Sequence, residues 1–215
     1  MSYYGKGVVN SDFVGIARAA LPGFHVYFTG AAGNIGAGKY NDGAAVNRDQ
    51  LAGRLADAMR ASLSTEHRHD NLRFEWRQVL TNLRHREGKD FTEASIRAVL
   101  EDPKALDKDV ASAARYLAWW QRCQPSAPNT VLQALLMDGA GIVHLPGESF
   151  VEFQLGAQAE RPKDQIATAA YGDYGPMYIG TKAAYAEGGY ETSAVSRVAE
   201  SSQETLQAAT RTLLR

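Results

Sequence analysis

Apolar and polar positions alternate between two periods along this chain. From Asp12 to Ala20 the apolar residues recur at helical spacing, and Leu21-Pro22-Gly23 ends the run. Val46, Leu51, Leu55, Ala58 and Met59 repeat that spacing, so a second helix is predicted from Val46 to about Ser64. Phe24 to Phe28 is short and apolar, the pattern of a strand. In Asn71 to Leu83, Leu72, Phe74 and Trp76 alternate with polar residues, which predicts a strand with one face buried. A helix capped by Asp90 or Thr92 runs to about Leu100 and stops before Asp102-Pro103. Another spans about Leu106 to Arg122, with Tyr116, Leu117, Trp119 and Trp120 making it aromatic. Such a cluster suits core packing, or the wall of a lipid groove.

The later half continues the alternation. Thr130 to Met137 reads as a buried strand, Asp138 to Gly141 as a hairpin turn, and Ile142 to Leu145 as the return strand. Glu148 to about Ala159 reads as a helix, Ile166 to Tyr171 as a core strand, and Ser196 to Leu214 as a covering helix. Gly172 to Gly180, rich in glycine and tyrosine, suits a rim loop whose Tyr174 and Tyr178, with Tyr171, stack on a ligand or pack. The expected fold class is α/β: a mixed sheet with flanking helices.

Composition narrows the function classes. A formal net charge of −1 over 215 residues gives no basic excess for nucleic acid or an anionic membrane surface. A single cysteine, Cys123, excludes an internal disulfide. No apolar run is long enough to span a membrane.

Three places carry candidate chemistry. Leu145-Pro146-Gly147-Glu148 and Gly188-Gly189-Tyr190-Glu191 each set an oxygen side chain beside glycine. Brought together, the Glu148 carboxylate and the Tyr190 phenol form half of an oxygen-rich metal site. Read plainly, Pro146-Gly147 starts a helix with Glu148 in its first turn, and Gly188-Gly189 is a turn. His144, four residues before Glu148, is either a partner orienting that carboxylate or a packing histidine. His67 and His69 alternate as a metal-binding pair would, within a charged loop that reads equally as solvated. The third place is the loop Thr29 to Tyr40. Gly33 to Lys39 has the spacing of a phosphate-binding loop, and Val131 to Asp138 resembles the strand ending in a magnesium-holding aspartate. Tyr40 stands where that motif needs Ser or Thr, and Asn41-Asp42-Gly43 reads as a turn where it needs a helix.

The paired motifs LPGE and AYAEGGYE resemble the C-terminal part of the catalytic domain of neutral, non-lysosomal ceramidases, which are zinc amidases. The resemblance runs from about Ser2 to Glu191. It implies that Glu148 and Tyr190 are zinc ligands, joined in the family by two histidines from earlier in the chain. It implies a substrate that is a lipid or other small amide, and family members are commonly secreted or membrane-associated. It places residues 86–127 in a helical insert. Asn34 then falls in the turn before the nucleophilic serine, whose position is occupied by Gly36. Met1 aligns just past a family His-Pro, so the resemblance implies one N-terminally truncated domain over residues 1–215, both zinc histidines lying in a missing N-terminal half. Three readings follow: a zinc-dependent amide hydrolase, incomplete in this chain; a non-catalytic fragment or degenerate homologue without a metal site; or a nucleotide-binding protein using Gly33–Lys39.

Overall fold

The structure, a computed structural model, describes residues 9–36, 42–65, 71–124 and 127–215. It divides into two compact units, Met1–Tyr27 with Gly36–Leu72, and Phe28–Ile35 with Arg73–Arg215. In the first unit α1 (Asp12–Ala19) and α2 (Ala45–Leu63) meet along small side chains. Ala17 and Leu21 bury against Ala56, with Leu55 and Met59 beside them. Both helices fall where the apolar periodicity places them. The run Phe24 to Phe28 forms no strand. Phe24 is 89% exposed, and just beyond the run the Thr29 carbonyl accepts from the Ala170 N–H at 2.8 Å. Without a ladder of such bonds, β-propensity alone does not hold a strand.

The second unit is built on a four-stranded mixed sheet in the order β1 (Phe74–Thr81), β2 (Thr130–Met137), β3 (Ala140–Pro146), β5 (Gln165–Gly172). β1, β2 and β3 are antiparallel neighbours; β3 and β5 run parallel. A parallel pair needs a crossover, and α5 (Val151–Glu160) supplies it. α7 (Ser202–Leu214) lies on the same face as α5. Period-2 alternation points Leu132, Ala134, Leu136, Val143, Leu145 and Ile166 into this face, against Phe153, Ala157, Leu206 and Leu213. Burying each of the larger of these contributes roughly 1.5–3 kcal/mol.

α3 (Glu93–Glu101) and α4 (Asp107–Cys123) stand where the helical pair is predicted, whereas the covering helix α7 begins only at Ser202, because Val198 is held extended in a bridge to His85. Thr92 caps α3 in a reciprocal pair with Ser95. β1 corrects the expectation for its faces. Its apolar residues Phe74 and Trp76 are 64% and 60% exposed, while Arg77 reaches the α7 side and donates to the Leu213 carbonyl at 2.8 Å. Alternation fixes which residues share a face, not which face meets the core.

Candidate functional site

The candidate site grows from the end of β3. After Pro146 the chain turns at Gly147, with φ of +57°, and a Cβ there would stand 2.4 Å from the Met177 carbonyl oxygen. Glycine is therefore required by both conformation and space. The turn corrects the expected helix start. Glu148 lies in β4 (Glu148–Ser149), a short strand parallel to β6 (Tyr178–Ile179), and α5 begins only at Val151. The Glu148 N–H donates to Met177 O at 2.8 Å, and Phe150 N–H to Ile179 O at 3.0 Å. These bonds fix Glu148 directly opposite Tyr178.

The chain between β5 and β6 then folds back on the carboxylate. Tyr171, near the end of β5, and Asp173 and Met177, after it, all have positive φ, each costing on the order of 1–3 kcal/mol in a non-glycine residue. That contorted path brings Tyr174 to Glu148, where its phenol donates to Oε1. Tyr178 and Tyr190 share a hydrogen bond between their hydroxyls at 2.9 Å, with rings edge to face and centroids 5.7 Å apart. Burial raises the pKa of the Tyr174 phenol, and its bond to Glu148 raises it further. Burial likewise raises that of Tyr178, followed by its hydrogen bond to Tyr190 and the nearby Glu148 carboxylate. Both stay neutral donors at ordinary pH.

Tyr190 is carried by α6 (Lys182–Glu187) and the segment after it. Gly188, left-handed at φ +77°, caps α6, and a π-helix runs over Glu191–Val195. Such wide turns are rare and recur at functional places. The segment is anchored by buried Thr192, whose hydroxyl donates to Ala184 O at 2.9 Å, and by Arg86, which donates to Thr192 O. Tyr190 itself stays exposed.

Glu148 and Tyr190 thus each hold a tyrosine hydroxyl, Glu148 that of Tyr174 and Tyr190 that of Tyr178, and Tyr178 stands opposite Glu148 in the β4–β6 pair. Tyr174 and Tyr178 are the residues that sequence reasoning places only on a rim. Their signal was the tyrosine density of Tyr171 to Tyr178, which periodicity cannot assign to a partner. His144 does not orient Glu148. It sits in β3 opposite Gln133 and Ala169, against Gly172, and burial lowers its pKa. Its buried Nδ1 has no hydrogen-bond partner among the described residues.

Asn34 serves the backbone. Its side-chain oxygen accepts from the Val151 N–H at 2.9 Å, capping α5, and its amide nitrogen donates to Glu152 at 3.0 Å. Beside it, Gly33 N–H donates to Ser149 O at 3.0 Å, which sets this loop against β4. The amides of Ala31, Gly33 and Ile35 all have protein acceptors, so none is free to cradle a phosphate. Gly36 belongs to the first unit and is exposed. Ala37 to Tyr40, which complete the phosphate-loop spacing, lie outside the described residues, as do His67 and His69.

As zinc donors, Glu148 and Tyr190 fit as two oxygen ligands and do not complete a set. Zinc sites take three or four protein ligands. Among the described residues no group of three or more His, Cys, Asp or Glu could hold a metal. No helix among them is long and apolar enough to cross a membrane.

No protein-family model matches the chain, and no curated protein does. Among solved structures it is similar to "Ceramidase complexed with C2", at 12% identity and a TM-score of 0.47, covering 81% of this chain and 35% of that one. It is similar also to neutral ceramidase from Pseudomonas aeruginosa, at 14% identity and a TM-score of 0.42, covering 82% and 34%. The chain therefore spans about a third of the length of these proteins.

Proposed function

We propose that this chain carries the carboxylate and phenol part of a zinc-dependent amide hydrolase of the neutral ceramidase type, with a lipid or other small amide as substrate. One observation carries the reading. Glu148 and Tyr190, singled out in the sequence as a ligand pair, converge on one tyrosine cluster although they sit on different elements: Tyr190 is hydrogen-bonded to Tyr178, which stands opposite Glu148 in the β4–β6 pair. In this reading both are oxygen ligands, and the remaining ligands come from outside the described residues. Zinc, when bound, supplies Lewis-acid polarisation of the amide carbonyl. The chain's own contribution is positional. Tyr174 holds one carboxylate oxygen of Glu148, and β4–β6 pairing fixes its backbone. Tyr178 donates within the same cluster as a neutral phenol, the kind of fixed donor that stabilises negative charge developing on a substrate oxygen. Gly36 offers no hydroxyl, so the reading assigns no serine nucleophile.

The test is release of sphingosine from N-acylsphingosine by the full chain supplied with zinc. The reading expects release that falls at least about tenfold in both Glu148→Ala and Tyr190→Phe, since even a group behind a ligand is worth that much. Equal release by wild type and both variants, or none from the folded wild type, overturns it.

A further inference from the structure

A cavity of about 330 Å³ opens between α4 and the loop before β6, and Tyr174, which donates to Glu148, forms part of its wall. Its wall is apolar, formed by Trp119, Ala118 and Met177. Three guanidinium groups line it as well: Arg115, Arg122 and Arg197. Gly175 lets the loop close on α4, for a Cβ there would stand 2.6 Å from both Arg122 Nη2 and Trp119 Cε3.

The charge is unbalanced. Arg122 lies 4.6 Å from the Trp119 ring centroid and pairs with Asp173 at 2.7 Å. Arg197 lies 3.8 Å from the Tyr116 ring centroid, and neither it nor Arg115 has a carboxylate within ion-pair distance among the described residues. Arg197 is half-buried, and burial weakens its hold on its proton, opposed by Tyr116 and aided to a smaller extent by the charges of Arg86 and Arg115. Two cations are thus held at an apolar cavity without an anion to answer them. Tyr116 offers the Arg197 guanidinium its ring face but no full charge, because burial pushes its phenol up to about 12 and keeps it neutral. The guanidinium fork matches carboxylate and phosphate geometry, and a cavity of this size takes a small organic molecule.

We propose that this cavity binds an organic anion, its carboxylate or phosphate between Arg115 and Arg197 and its apolar body on Trp119 and Met177. The proposal does not depend on the hydrolase reading. Tyr174 lines the cavity and also touches Glu148, so an occupant would rest directly behind that cluster.

Isothermal titration of the full chain with octanoate, octyl phosphate, inorganic phosphate and octylamine tests it. Octanoate or octyl phosphate binds, and the arm that binds tighter names the head group. Affinity falls as salt rises, and inorganic phosphate and octylamine bind at least about tenfold more weakly. Arg115 is exposed, so Arg115→Glu leaves the fold intact while weakening the anion at least about tenfold. Ala118→Trp, at an exposed cavity-lining position, blocks binding by filling the space. Octylamine binding as tightly as octanoate, unchanged affinity in Arg115→Glu, or binding of neither amphiphilic anion overturns the proposal.

Discussion

Acidifying the protein through the range of His85 should destabilise it by a calculable amount. The Nε2 of His85 lies 2.9 Å from the Tyr116 hydroxyl, with the two rings stacked at 5.5 Å. Burial and then the Arg197 charge lower its pKa to about 4 from an ordinary 6.5, against a smaller opposing pull from Glu87. A histidine whose folded pKa is depressed binds its proton more readily when unfolded. Its penalty is therefore absent above 6.5, grows as pH falls from 6.5 to about 4, and is constant below that. At pH 5 the two values correspond to about 2 kcal/mol by proton linkage. His85 keeps partial contact with solvent, which reduces this to about 1 kcal/mol. Urea unfolding at pH 7.5 and pH 5, followed by circular dichroism, measures it. His85→Gln keeps a group able to accept from Tyr116 and does not titrate. Wild type should lose about 1 kcal/mol more than His85→Gln between the two pH values. Equal losses in the two proteins would refute the reasoning.

Gly147→Ala forces φ of +57° on a Cβ that would meet Met177 O at 2.4 Å, so it should cost more than about 2 kcal/mol in urea unfolding. Trp119→Ala empties a site that is 1% exposed and should cost about 3–5 kcal/mol, whereas Trp76→Ala, at 60% exposed, should stay within about 0.5 kcal/mol. Thr92→Ala removes the α3 cap and should cost about 1 kcal/mol, measured the same way.

Long periodic segments were legible in the sequence, and the closures between them were not. Strand β2 and helix α4 each announce themselves, because burial on one side imposes a period that survives any tertiary arrangement. Phe74 and Trp76 show the limit of that logic: the period is right and the buried side is the other one. Glu148 after Pro-Gly has a sound local reason to start a helix. That reason yields to the Glu148 and Phe150 backbone bonds to Met177 and Ile179, which a local window cannot see. The same holds at the site. Glu148 and Tyr190 stood out through their glycine neighbours, but the bond of Tyr178 to Tyr190 and the grip of Tyr174 on Glu148 depend on a path with positive φ at Tyr171, Asp173 and Met177. Such backbone is set by its surroundings, not by its own residue types. Asn34, read beside a catalytic turn, is an α5 cap whose partner lies 117 residues away.

Zinc content of the purified chain after exhaustive dialysis tests the central claim most directly. The account predicts that zinc is retained and that Glu148→Ala and Tyr190→Phe each lose it, with the fold preserved by circular dichroism. Zinc retained equally by wild type and both variants would contradict the assignment of Glu148 and Tyr190 as ligands, and zinc retained by none of the three would contradict a zinc site completed within this chain.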